Sequence, residues 1–193
     1  QRDPRFIAIP GSLNFRDFGG YTTADGGIVK KGKLFRCGMM TGIGELGRDD
    51  FSALDVGVIC DLRRADEVEG APTPTDAPFD VRVHIPIAPG SSTGFGAAVI
   101  LSALGVPEEH VFDDYLLTNT ATELFAAMKP RFEENYGGTV TEDDMRAVAG
   151  VQREYLEAAI QTVHENFGSM QGYLEEIGLG ESSARELRKR LVE

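Results

Sequence analysis

The chain has 193 residues, of which 41% are hydrophobic and 26% charged, so it is long enough for one domain with a sizeable core. Its formal net charge of −12 argues against binding to nucleic acid or to an anionic membrane. The charge is uneven, because residues 1–64 hold 10 basic and 8 acidic residues, whereas residues 65–193 hold 9 and 23. We therefore expect an anionic substrate to contact the first third of the chain, or a loop whose backbone amides supply a positive field.

The cysteine count and the apolar runs limit the class of protein further. Cys37 and Cys60 are too few for a disulfide framework or a zinc site, and we expect neither metal nor cofactor. The longest continuous apolar run, Gly94–Val106, has the length of a buried helix and is too short to span a membrane. The first residues do not have the pattern of a signal peptide. We expect a soluble protein, and its compartment and oligomeric state stay open.

The first sixty residues are predicted to form short strands and turns, and a surface loop and one further strand follow. The run Val56–Cys60 is apolar and β-branched, which is typical of a buried parallel strand, and it ends at Asp61, Arg63 and Arg64. Ligands of α/β sheets bind at that end of a strand. Val81–Ile87 alternates and predicts another strand, placed near an edge by Pro86. The other short elements predicted are strands at Phe6–Ile9 and Lys33–Cys37, a hairpin turn at Asp25–Gly27 and one or two helical turns at Arg48–Leu54.

The rest of the chain is predicted to be helical. Phe95–Leu104 is apolar on nearly every face, so we expect it at the centre of the core. Thr141 and Asp144 have the spacing of a capping box and predict one long helix that continues to Phe167. The other helices predicted are Pro107–Leu117, Thr122–Tyr136 with a kink at Pro130, one capped by Ser169, and one capped by Ser182. The predicted fold is a single α/β domain, with a small, mostly parallel sheet and a helical C-terminal half.

One glycine-rich segment matches a nucleotide-binding pattern. Gly42–Gly47 reads G-x-G-x-x-G, and Asp61 follows about 20 residues later, as in dinucleotide-binding folds. The strand before it is charged, the helix is predicted to start near Arg48, and Glu45 would lie beside the pyrophosphate. A flexible turn before a helix is the simpler interpretation. A dinucleotide-dependent oxidoreductase is kept as an alternative.

Asp61 is the strongest single candidate for chemistry. A carboxylate at the end of a strand, beside Arg63 and Arg64, is suited to proton transfer or to ion pairing. The cysteines are poor candidates, because a Cys-x5-Arg phosphate loop needs an arginine six residues later, where Ile43 and Asp66 stand. The three histidines have no nucleophilic partner that spacing identifies.

Several motifs together resemble those of the bacterial atypical protein tyrosine phosphatases. They follow the order of that family along nearly the whole chain. They are Asn14-Phe-Arg-Asp-Phe-Gly-Gly-Tyr21, Leu34-Phe-Arg-Cys-Gly38, Leu54–Arg64 with Glu67, Thr93-Gly94, Asp114–Asn119, Arg153–Ala159 and Phe167–Leu174.

The sequence departs from this family at one decisive place. The family has a His-Cys-x-x-Gly-Lys-Asp-Arg-Thr-Gly loop before the apolar helix, and here only Thr93 and Gly94 remain of it. A parallel crossover needs roughly 30 residues or more, but only Ala88–Ser92 stand between the preceding strand and Thr93. The nucleophilic cysteine, the phosphate-binding arginine and one core strand are therefore missing.

Two explanations of the missing loop are open. In the first, the intact protein carries a further segment between Ser92 and Thr93 and is a phosphatase. In the second, the deletion is genuine and the chain is an inactive remnant that binds phosphorylated ligands. We expect the first, because loss of a central strand would uncover the helix Phe95–Leu104 and cost more than the stability of an ordinary domain. The spacing of alpha carbons around Ser91–Thr93 is the geometric test.

The resemblance implies a role for each candidate residue. It makes the intact protein a phosphomonoester hydrolase that forms a cysteinyl phosphate, with Asp61 as the general acid. Thr93 and Gly94 would end the phosphate loop, and Arg63 would orient Asp61 or contact substrate. The substrate would be a phosphorylated protein, on tyrosine or on serine and threonine, or a phosphoinositide. Residues 120–150 would form a lid with hinges at Gly137-Gly138 and Gly150, or an ordinary helical cap.

Overall fold

A computed structural model describes residues 2–75, 77–85 and 92–193, with only the backbone of Ser92. Within these residues, two small sheets lie in the first half of the chain. Strands β1 (Arg16–Asp17) and β2 (Phe35–Arg36) are antiparallel, and β3 (Val58–Asp61) and β4 (Val81–His84) are parallel. The predicted strand at Phe6–Ile9 is wrong, because only Phe6 forms a bridge there, with Arg16.

Ten α-helices occupy the described residues, and most of them lie in the second half of the chain, as predicted. Thr122–Tyr136 is one helix with Pro130 inside it. The chain is thus a mixed α/β protein with a small parallel sheet and a helical C-terminal half. The helices are α1 (Ile43–Leu46), α2 (Arg48–Ser52), α3 (Ala65–Gly70), α4 (Ser92–Ala103), α5 (Glu108–Leu116), α6 (Thr122–Tyr136), α7 (Glu142–Ala149), α8 (Arg153–Phe167), α9 (Met170–Glu176) and α10 (Glu181–Leu191).

Two predicted helix boundaries are wrong. The capping box at Thr141 exists, since Thr141 Oγ1 accepts from the Asp144 backbone N–H, but its helix ends at Ala149 and α8 is separate. Asn119 stabilises the break, because its side chain donates to Val151 O at 2.8 Å and accepts from Val151 N at 2.9 Å. At the last helix, Gly180 and not Ser182 is the N-cap residue.

The strand β3 is less buried than its composition predicted. Val58 pairs with Val81 and Cys60 with Val83, so these four side chains share one face of the parallel sheet. Val58, Val81 and Val83 are 59%, 50% and 39% exposed, and Cys60 is exposed as well. The run was predicted to be buried because parallel sheets are normally covered on both faces; here one apolar face is open to solvent.

The helix α4 forms the centre of the larger hydrophobic core, as its composition predicted. Leu101 and Leu104 are fully buried, and α4 packs against α5, α8 and α9. The expectation that this helix would lose its cover without the missing strand is therefore wrong, because helices from the C-terminal half cover it. A second, smaller cluster contains Ile9, Phe15, Ile43 and Phe51. No helix within the described ranges is long and apolar enough to cross a membrane.

Candidate active site

Asp61 lies at the C-terminal end of β3 and is held by two arginines. Arg63 Nε donates to Asp61 Oδ1 at 2.9 Å and Arg63 Nη2 donates to Oδ2 at 2.8 Å, so the guanidinium grips both oxygens. Arg82 Nη2 donates to Oδ2 at 2.7 Å, and the Thr73 hydroxyl donates to the same oxygen at 3.1 Å. A carboxylate accepting several charge-assisted hydrogen bonds is strongly fixed in position.

These contacts keep Asp61 ionised. Asp61 is only 5% exposed, and burial by itself raises the pKa of a carboxyl. The hydrogen bonds from Arg63 and Arg82 outweigh burial and hold the pKa of Asp61 well below its usual range. The same pairing raises the pKa of Arg63. In this geometry Asp61 is a fixed anion without a proton to donate at neutral pH.

The structure brings Asp61 and Arg63 together, and it adds two residues that the sequence reasoning missed. Arg82 is on β4, and the parallel register puts it on the same face as Asp61. The alternation of apolar and polar residues from Val81 to His84 could have indicated Arg82, because it places this side chain on the polar face of the strand. Thr73 comes from the loop after α3 and left no signal. Arg64, in contrast, points away to the exposed Asp66, at 2.7 Å.

Thr93 and Gly94 lie in the first turn of α4. The first backbone N–H groups of a helix have no intrahelical acceptor, so this turn is suited to an anion. Gly94 is required there by packing, because an added Cβ would lie 2.5 Å from a ring carbon of Tyr115. The preceding residues 86–91 are outside the described part of the chain, so the spacing test is not covered there. Ser92 and Thr93 are consecutive residues of α4, so the described backbone is continuous at the place of the predicted gap.

Neither cysteine has the surroundings of a nucleophile. Burial raises the pKa of the Cys37 thiol to about 11, although Arg63 and Arg36 oppose the shift. A reactive cysteine needs a lowered pKa, since the thiolate is the nucleophile. Cys60 is exposed on the open face of β3, the opposite side of the strand from Asp61.

The glycine-rich segment Gly42–Gly47 does not form a dinucleotide site. It folds as the four-residue helix α1 after a two-residue antiparallel strand, whereas the fingerprint requires a βαβ unit. Its glycines allow close packing of backbone on backbone. A Cβ at Gly47 would lie 2.2 Å from Pro10 O, and one at Gly42 would lie 2.9 Å from the alpha carbon of Gly11.

The fold and the site together define an α/β protein with a charged cluster at the C-terminal edge of a parallel strand pair. A model of the tyrosine phosphatase family matches residues 7–92 and 91–193, and the chain therefore belongs to this family. The two matches meet at residues 91–92, next to the place where the sequence lacks the family's loop.

One curated relative is the triple specificity protein phosphatase PtpB of Mycobacterium tuberculosis (strain ATCC 25618 / H37Rv). It is 33% identical to this chain over 105 residues. The alignment covers 50% of this chain and 38% of that protein, well under two thirds of the relative's length.

Proposed function

We propose that the intact protein is a phosphomonoester hydrolase and that this chain supplies its framework and its acid. The observation that carries the proposal is that the family matches meet at residues 91–92, where the cysteine loop is missing. In a form with that loop between Ser92 and Thr93, the loop would lead directly into Thr93 and Gly94, in the first turn of α4. The nucleophile would then lie at the helix N-terminus, where backbone amides hold a phosphate and lower the pKa of a thiol.

The chemistry divides between the added loop and this chain. The thiolate of the loop attacks phosphorus, the P–O bond to the leaving group breaks, and water later hydrolyses the cysteinyl phosphate. The backbone N–H groups at Thr93 and Gly94 donate to the phosphate oxygens. Asp61 protonates the leaving oxygen, and Arg63 positions Asp61.

The role of Asp61 as an acid requires that its hydrogen bonds change. A general acid has to carry a proton at the working pH, and the arginines oppose this while both are bound to the carboxylate. We propose that a substrate phosphate takes over one arginine, Arg63 or Arg82. The loss of that hydrogen bond raises the pKa of Asp61 and lets the carboxyl bind the proton that it donates. The planar guanidinium of arginine can donate two parallel hydrogen bonds to a phosphate or to a carboxylate, because the geometry of both groups matches its own.

The proposed substrate class is supported by the family and by the relative. PtpB is described as a triple specificity protein phosphatase. We propose phosphorylated protein as the substrate, on tyrosine or on serine and threonine, with phosphoinositide as a further candidate.

The experiment has two parts. The gene is sequenced between the codons for Ile85 and Thr93 in the organism that makes the protein. The mass of the natural protein is then measured. Both the 193-residue chain and any longer form are then assayed with p-nitrophenyl phosphate. We expect turnover by the longer form and none by the 193-residue chain, because neither of its cysteines has the loop. An inactive longer form would contradict the proposal.

A second function is favoured by the absent nucleophile itself. If the source encodes no further residues there, the chain is a catalytically inactive member of the family that binds phosphorylated ligands. Binding of a phosphotyrosine peptide without turnover is the expected result in that case.

A further inference from the structure

Two buried arginines and one buried aspartate form a cluster beneath the start of α4. Arg36 Nη1 donates to Asp114 Oδ2 at 2.5 Å, and Arg16 Nε lies 3.6 Å from Asp114 Oδ1. Arg16 Nη2 also donates to the backbone oxygen of Asp114 at 3.0 Å and to the Thr118 hydroxyl at 3.3 Å. Arg16, Arg36 and Asp114 are 0%, 7% and 1% exposed.

The cluster has two positively charged side chains, Arg16 and Arg36, and one negatively charged side chain, Asp114. Burying an unbalanced charge is costly, so buried charges are normally paired. Burial and the neighbouring Arg36 lower the pKa of Arg16 to about 10, even though Asp114 opposes the shift. The Asn14 side chain, which accepts from Arg16 Nη1, is polar but uncharged. Among the described residues of the cluster, one positive charge is therefore without a charged partner, and an anion would balance it.

Arg36 is the member placed to meet that anion. Among the described residues its side chain donates to Asp114 alone, through Nη1. Its other terminal nitrogen, Nη2, lies 3.6 Å from the position that a Cβ would take at Gly94, in the first turn of α4. The unbalanced guanidinium thus lies beside the first turn of a 12-residue helix, at the helix end that carries the positive end of the dipole.

We infer that Arg36 and the first turn of α4 form a binding site for a phosphate group, with Arg36 as a residue that contacts the phosphate. This inference rests on the proposed function, because the phosphate is that of the substrate. It adds a fixed cation from β2 that does not depend on the missing loop. The 193-residue chain is therefore expected to bind inorganic phosphate without hydrolysing anything.

The test measures the binding of inorganic phosphate and of O-phosphotyrosine to the 193-residue chain, by calorimetry and by the rise in Tm with ligand concentration. Arg36→Met is the main variant. It leaves Arg16 and Asp114 as a balanced pair, so the fold keeps its internal compensation. Arg36→Lys retains the charge without the fork. The matched control is Arg188→Met, because Arg188 is paired with Asp25 at 2.6 Å and bonds to Leu104 O, at the opposite end of α4.

We expect Arg36→Met to weaken phosphate binding about tenfold or more, the size of one charge-assisted hydrogen bond. Arg36→Lys should recover part of the affinity, and Arg188→Met should bind like the unchanged chain. Equal binding by Arg36→Met, or no binding by the unchanged chain, would overturn the inference. If the 193-residue chain binds phosphate but the longer form has no activity, the phosphate-binding site is supported and the proposed catalysis is refuted.

Discussion

Arg63 binds both carboxylate oxygens of Asp61, through Nε at 2.9 Å and Nη2 at 2.8 Å. The two residues are separated by one position in the chain, and the strand end lets the arginine fold back on the carboxylate. The fork fixes the direction of Asp61 and keeps it ionised. In the proposed reaction the same contact has to weaken before Asp61 can act as an acid, so the pair sets the acidity of the site.

Asp61→Asn should lower the turnover of poor leaving groups most in the form that carries the cysteine loop. An amide cannot protonate the leaving oxygen, and a good leaving group such as p-nitrophenolate needs little protonation. The measurement is kcat for aryl phosphates of graded leaving-group pKa. A uniform loss across the series, or none, would remove Asp61 from the role of acid.

The stabilising effect of Asp61 should depend on pH in a defined direction. Its folded-state pKa is depressed, so the unfolded chain binds more protons as the pH falls below the usual carboxyl pKa of about 4. The stability that the ionised group contributes is complete above that pH and is lost at lower pH. The difference in free energy of unfolding between the unchanged chain and Asp61→Asn should therefore shrink from pH 6 to pH 3, measured by urea titration. Glu134→Gln, at an exposed position on α6, is the matched control.

Gly94→Ala should destabilise the fold by about 1–3 kcal/mol, because the new methyl group overlaps the ring of Tyr115. The ring carbons lie 2.5 and 2.8 Å from the Cβ position, and Tyr115 is 7% exposed and unable to move outward freely. Alanine is the better helix former by about 1 kcal/mol, and the overlap exceeds that gain. Gly70→Ala is the matched control in α3, where nothing lies within 4 Å, and it should be neutral or slightly stabilising. Urea denaturation compares Gly94→Ala with Gly70→Ala, and equal stability of the two variants would show that the ring of Tyr115 moves aside.

Asn119→Ala should lower the free energy of unfolding by about 1–3 kcal/mol, since it removes both hydrogen bonds that fix Val151 between α7 and α8. Asn166→Ala is the control, because Asn166 makes one exposed hydrogen bond within α8, to Thr162 O. That change should stay within about 0.5 kcal/mol. A similar cost for both variants would mean that the break between α7 and α8 does not depend on Asn119.

Residues 120–150 should exchange amide hydrogens faster than α4 if they act as a lid. The helices α6 and α7 have one fully or nearly buried apolar side chain each, Phe125 and Met145, whereas α4 is buried along most of its length. Regions with few buried contacts open at low free energy. Hydrogen exchange by mass spectrometry distinguishes the two outcomes. Protection equal to that of α4 in the free protein would favour an ordinary helical cap.

Local signals predicted the helices and the immediate surroundings of Asp61. The bounds of Thr122–Tyr136, the capping box at Thr141 and the cap at Ser169 all follow from residues close together in the chain, because capping and periodicity act over one or two turns. The pairing of Asp61 with Arg63 is equally local. The break after Ala149 was missed because Asn119, which holds it, lies 32 residues away from Val151.

By itself, then, the sequence determined the helical half, the charged end of β3 and the family to which the chain belongs. Only the tertiary structure decided which charges distant in the chain meet. Arg82 reaches Asp61 through the register of two parallel strands, and Arg36 reaches Asp114 across 78 residues. Burial and electrostatic pairing depend on distances in space, which no spacing along the chain specifies, and those distances made Asp61 a fixed anion and left one buried positive charge at the start of α4.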